Sequence, residues 1–387
     1  MCRGRIDYPP TLFFRDDHIV RHRGGGEHHT DCEFFKTADD QVKLVGTYKP
    51  RRDRKYTLLK PFNDFTSLRP GHTSRRTEGR TRSRSTLASL LVDLWENAGL
   101  QDYYLGSVRP AIEKQIALVE AAASNLYIHD DVTVESVLCT DARELESFKV
   151  SLLQRQWPDG VRPQGVFISV VTSIRDGAVV TYPSETEVSV RDRMAIFGEL
   201  SPDDQDFGED DDPNLAEGDE SVGVRKHYVC IASLGQSIPR GPVDVLSCYL
   251  HPCYKLEDMM LVDSGYERIT LNQIVSTAIG LRNSKIFIDV TKPMFDISDE
   301  PRRRDGRARP ALIPDFVVWS EHRKVIVETL GYRSPTYRAR KDIVIPEMQA
   351  ALDGAEVVCI DFQRAGVHLK QLKKDFREEL AKIFLST

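Results

Sequence analysis

The stretch Ala311-Leu-Ile-Pro-Asp315-Phe-Val-Val-Trp-Ser-Glu-His-Arg-Lys-Val-Ile-Val-Glu328-Thr-Leu-Gly331-Tyr332 constrains this chain more than any other. Two apolar, β-branched runs, Ile313 to Trp319 and Lys324 to Thr329, flank the polar segment Ser320-Glu321-His322-Arg323. That pattern predicts two adjacent strands of a hairpin. Asp315 follows Pro314 at the head of the first strand, and Glu328 closes the second. A carboxylate in apolar surroundings is costly unless it is paired, protonated or bound to a cation. Two of them on neighbouring strands could share a divalent ion, which takes hard oxygen ligands.

The segments around the hairpin have their own periodicities. Ser264 to Leu281 has helical spacing through Tyr266, Ile269, Leu271, Ile274, Val275 and Ala278, and it carries Glu267. Lys285 to Val290 reads as a strand, Pro335 to Leu352 as a helix, and Glu356 to Asp361 as a strand. An Asp after Pro on one strand, an acid ending the next and the following Gly331-Tyr332 resemble the core of the PD-(D/E)XK nuclease superfamily. The closest likeness is to its Vsr-like, restriction-endonuclease-like branch. The resemblance implies an αβββαβ core over 256–387 that hydrolyses phosphodiester bonds. It implies that Asp315 and Glu328, with the carbonyl after Glu328, hold Mg²⁺ or Mn²⁺, and that Glu267 completes or orients that shell. The superfamily's lysine stands two residues after the second acid, where this chain has Leu330. Lys341, on the next helix with Tyr337, Arg338 and Arg340, would supply the missing cation. The same departure suits a core repurposed for DNA binding or scaffolding. In a purely structural reading Asp315 caps a turn and Glu328 pairs with Arg338.

Composition sets the wider frame. At 387 residues, 40% hydrophobic and 29% charged, the chain has the length and balance of a soluble α/β (α+β) protein of two or three domains. No run of eighteen apolar residues occurs, and Met1 to Asp7 lacks an apolar signal core, so neither a membrane span nor a leader is expected. Seven scattered cysteines argue against a disulfide framework, and the expected compartment is the cytoplasm. No glycine-rich phosphate loop, Gly-x-Ser-x-Gly, His-Glu-x-x-His or kinase signature occurs. The net charge of −6 excludes a uniformly basic nucleic-acid binder, but charge is segregated. Between 49 and 85, twelve Lys and Arg face only Asp53, Asp64 and Glu78, as in a mobile basic linker that attracts phosphate or merely stays solvated. Ser201 to Ser221 is a dense acidic insertion, expected to be disordered. Arg302, Arg303, Arg304, Arg307 and Arg309 closely precede Asp315. With Tyr337 and Arg340 they are the candidate contacts to a nucleic-acid backbone, a solvated loop being the alternative.

The remaining ranges are an N-terminal β-rich segment, 1–48, and a mixed helical and β-rich middle region, 86–255. The first holds a predicted hairpin, Pro9 to Phe14 with His18 to His22, and then His28, His29 and Cys32. These and Cys2 are candidate zinc ligands, although chance histidines in a polar loop fit as well. Ser85 to Leu100 reads as a capped amphipathic helix and Arg109 to Tyr127 as a second. Strands are expected at Gly165 to Val171, Ala178 to Tyr182, His227 to Ala232 and Val243 to Leu250. Cys248, His251 and Cys253 have metal-ligand spacing, but alternation along a strand favours half-buried core positions. "PPTLFF", "TLASLLVDLWENAGL", "VDSGYER" and "YRARK" resemble stretches of an uncharacterised bacterial family, a domain of unknown function common on plasmids and integrative or conjugative elements. That resemblance implies a mobile-element context with conjugation or mobilisation proteins as partners. Double-strand cleavage by a single-core nuclease would most simply need a homodimer.

Overall fold

The computed structural model describes residues 12–15, 18–21, 55–59, 85–105, 109–175, 177–197, 227–298, 311–332, 335–364 and 366–386. The first elements among the described residues are an antiparallel pair, β1 (Leu12–Arg15) and β2 (His18–Arg21), where a hairpin is predicted. Helix α1 (Thr86–Asn97) starts at Ser85, whose hydroxyl accepts from the Ala88 N–H, and it buries every residue from Ala88 to Trp95. A helix buried nearly all round lies inside a core rather than on a surface. The short strand β3 (Asp102–Tyr103) and helix α2 (Ile112–Ala123) follow. Next come β4 (Tyr127–His129), β5 (Val132–Thr133), β6 (Leu138–Cys139) and helix α3 (Leu145–Gln154).

The middle of the chain is a sheet. It contains β7 (Gln164–Arg175), β8 (Ala178–Tyr182), β9 (Glu187–Ser189), β10 (Arg193–Ile196), β11 (Tyr228–Gln236), β12 (Val243–Lys255) and β13 (Asp258–Leu261). The order is β10-β12-β11-β7-β8-β9, with β13 beside β12 and β6 beside β7. All nine residues of β11 and the first eight of β7 are buried, as expected of central strands covered on both faces. Cys248, His251 and Cys253 all lie on β12 and are buried more deeply than the half-buried positions expected, at 2%, 1% and 0% exposure. Cys248 Sγ lies 3.2 Å from Cys230 Sγ on β11.

The C-terminal part carries α4 (Gly265–Arg282), β14 (Asp289–Thr291), β15 (Phe316–Trp319), β16 (Lys324–Leu330), α5 (Pro335–Ala351), β17 (Glu356–Asp361) and α6 (Leu369–Leu385). The αβββαβ order of the sequence reading is present, extended by α6. One boundary differs. Lys285 has φ +58° and the Ile286 N–H donates back to Leu281, so residues 283–286 close the end of α4 and the strand starts only at Asp289. The sheet order is β17-β16-β15-β14-β3, so a strand from far upstream in sequence forms its edge. Side chains alternate across it. Phe316, Val318, Val325 and Val327 pack with α4 and α6, whereas Ile326 packs with Val344 and Met348 of α5.

Packing joins the two sheets. The Gln101 amide pairs with the Leu261 backbone in both directions, accepting at 2.8 Å and donating at 3.4 Å. Gln115 does the same between Met259 and Glu257. Arg109 donates to the carbonyls of Leu100 and Asp102 and reaches Asp258 Oδ1. Burial pushes the Asp258 carboxyl up, and Arg109 works against that shift.

Candidate active site

Register places the two acids together. Phe316 pairs with Val327, and one more antiparallel step sets Asp315 against Glu328. The Asp315 N–H donates to Glu328 Oε1 at 3.2 Å, and the Thr329 N–H donates to Asp315 Oδ2 at 2.7 Å. Each carboxylate is thus held by the other strand's backbone, so the pair is built into the hairpin. Glu328 shares the face of Ile326, toward α5. Lys341 descends from that helix, its ammonium donating to Glu328 Oε2 and standing 3.6 Å from Asp315 Oδ2. The superfamily's usual lysine position, Leu330, lies two residues on from Glu328 and projects to the same face. A lysine from α5 therefore reaches the same space from above. Arg338 is bidentate to Asp361, at 2.7 and 2.9 Å, so it is not the partner of Glu328 that the structural reading assumed.

The electrostatics follow from burial. Glu328 has no exposed surface, and burial, then the neighbouring Asp315 charge, push its carboxyl up to about 7 against the pull of Lys341. Burial opposes the charge on Lys341, but Asp315 and Glu328 outweigh it and hold the ammonium above the ordinary lysine range. Tyr337 donates its hydroxyl to the Thr329 carbonyl at 3.0 Å, and burial pushes that phenol up to about 12. The carbonyl after Glu328 therefore already accepts one hydrogen bond, and a carbonyl oxygen has a second lone pair. Arg340 is exposed on α5.

Glu267 is held by its own set of partners and interacts electrostatically with Asp315. The Ser264 hydroxyl caps α4 at the Glu267 N–H, and the Glu267 carboxylate accepts from the Asp263 N–H and from Lys292 Nζ, both at 2.9 Å. None of its hydrogen bonds among the described residues reaches Asp315 or Glu328. Burial, then the Asp263 and Asp315 charges, raise it to about 8 even with Lys292 beside it. Sequence reasoning missed Lys292. This side chain is 1% exposed and also pairs with Asp263 at 3.0 Å, and these acids and Asp315 outweigh burial and keep it charged. A lysine directly after a β-branched strand was the one available signal. Asp263 in turn lies 3.3 Å from His251 of β12, so this polar string links the two sheets.

Among the described residues no group of three or more His, Cys, Asp and Glu side chains is placed to hold a metal ion. The donor set at Asp315 and Glu328 still suits Mg²⁺ or Mn²⁺, because Mg²⁺ is typically bound through one or two carboxylates and keeps water and phosphate in its other positions. Cys2, His28, His29, Cys32, Arg302, Arg303, Arg304, Arg307 and Arg309 lie outside the described residues. No described helix is long and apolar enough to cross a membrane.

Comparison with known proteins bears on the fold. Residues 263–383 match the family model of the restriction endonuclease-like C-terminal domain. Residues 48–199 match that of a domain of unknown function (DUF8535). An Escherichia coli protein described as "Uncharacterized protein in cib 5'region" is 28% identical over 131 residues, covering 32% of this chain and 58% of that protein. The chain thus spans less than two thirds of that relative's length. The fold is mixed α/β with a restriction endonuclease-like C-terminal domain.

Proposed function

We propose that the C-terminal domain hydrolyses DNA phosphodiester bonds with a divalent cation held by Asp315 and Glu328. The supporting observation is the pair itself, two carboxylates from adjacent strands locked by each other's backbone and met by one lysine. The chemistry that bound Mg²⁺ or Mn²⁺ supplies there is polarisation of the scissile phosphate and activation of water. Lys341 offsets negative charge as it develops on the phosphoryl oxygens. Tyr337 holds the backbone after Glu328, and the Thr329 N–H keeps Asp315 turned toward the pair. Glu267, fixed by Lys292 and interacting electrostatically with Asp315, orients or completes the shell around the cation. The mobile-element context and a homodimer for double-strand cutting belong to the same reading.

One observation favours a second reading. The Lys341 ammonium already pairs with both acids, as it would in a core that binds DNA without cleaving it. Incubating supercoiled and single-stranded circular DNA with Mg²⁺ or Mn²⁺ separates the two. The nuclease reading expects nicking by the wild type and at least a hundredfold loss in folded Asp315→Ala and Glu328→Ala. Intact DNA with every metal, alongside salt-sensitive binding, would leave the binding module.

A further inference from the structure

The backbone that leaves Glu328 is pinned at every step. Four successive carbonyls each accept a hydrogen bond at 3.0 Å. Thr329 accepts from the Tyr337 hydroxyl, Leu330 from the Phe362 N–H, Gly331 from the Gln363 amide and Tyr332 from Arg338 Nε. Arg338 is itself fixed by its two bonds to Asp361. Gly331 has no room for a side chain, since a Cβ there would stand 2.8 Å from the Tyr266 ring, and that ring packs against Phe362 at 4.6 Å. All this restraint ends in an aromatic ring left open, for Tyr332 is 60% exposed.

The ring is also placed. Tyr332 meets the Tyr337 ring edge-on at 5.4 Å, and the Lys341 ammonium lies 5.8 Å from the Tyr337 ring. The Tyr332 ring therefore stands no more than about 11 Å, a little over three base-stacking rises of ~3.4 Å, from the lysine that holds the two acids. A mobile surface tyrosine would lose rotamer and backbone entropy on binding; one on a pinned backbone has given up part of that freedom in folding. Stacking needs a free base face, which an unpaired strand offers and a continuous duplex hides.

We infer that Tyr332 is a stacking platform for an unpaired nucleobase beside the scissile phosphate, which gives the site a preference for single-stranded or frayed DNA. The inference takes its substrate class from the nuclease reading, but its test needs no cleavage. The full chain is titrated in EDTA with an oligodeoxynucleotide carrying 2-aminopurine, as a single strand and as a duplex. The variants are Tyr332→Ala and Tyr332→Trp, with melting temperatures checked against the wild type.

Wild-type protein should bind the single strand and change the 2-aminopurine fluorescence. Tyr332→Ala should lose about tenfold in affinity for the single strand, with less than a twofold change for the duplex, and Tyr332→Trp should restore both binding and signal. Wild-type affinity in Tyr332→Ala, an equal loss on duplex and single strand, or no binding of the single strand by the wild type would each overturn the platform. Stacking without metal-dependent nicking would remove the nuclease and keep the platform; nicking with an unaffected Tyr332→Ala would do the reverse.

Discussion

Glu328 and Lys341 show what burial does to a single ion pair. Removing one partner of a buried pair leaves an uncompensated charge, which costs far more than the net worth of the pair. Lys341→Ala leaves Glu328 beside Asp315 without that cation, and the variant should lose about 3 kcal/mol of stability at pH 8 by denaturant unfolding. Protonation of Glu328 relieves the repulsion, so the deficit should shrink at pH 6. If a divalent ion is held there, millimolar Mg²⁺ should raise the melting temperature of Lys341→Ala more than that of the wild type. A variant as stable as the wild type at both pH values would show that the lysine is not the counter-charge of the pair.

Elements bring together groups that no local pattern connects. Glu96 lies in the last turn of α1, and burial, then the charges of Asp102 on β3 and Asp93, push its carboxyl up to about 7 from an ordinary 4.5. Between those values the folded protein keeps a proton that the unfolded chain releases. The associated stability is therefore complete below pH 4.5 and is lost as pH rises through 7. Glu96→Gln should flatten the fall in melting temperature between pH 5 and pH 8. An unchanged slope would assign that fall to other groups. The pinned 329–332 segment is also an element-scale device, because its donors come from α5 and from the loop after β17.

At the scale of the molecule, the C-terminal sheet is not closed by C-terminal residues alone. β3 supplies its edge, and Leu105 and Tyr254 join the apolar cluster under α4 and α6. In return Met294 and Phe295 pack into the core of the large sheet. A fragment spanning 256–387 would expose both surfaces. It should melt well below the full chain, or without a cooperative transition, by circular dichroism. A fragment melting with the full chain would show that the nuclease-like domain folds without β3.

The local signals sufficed wherever periodicity and capping act within one segment. The Asp315–Glu328 hairpin, the Ser85 cap, the strand runs of β7 and β11 and the αβββαβ order all follow from alternation, helical spacing and cap chemistry. The proximity of the two acids was legible because antiparallel register is itself local. Other features required the folded chain. The sequence named Lys341 as the replacement cation, but only the tertiary structure set its ammonium on Glu328 and turned Glu267 to Lys292. It also gave Arg338 to Asp361 and recruited β3 across nearly two hundred residues. In each case the joined groups lie apart along the chain, so no local pattern announces the pairing. Hydrophobic period and caps are written in neighbours, whereas the partner of a buried charge is whichever opposite charge the packing delivers, at any separation along the chain.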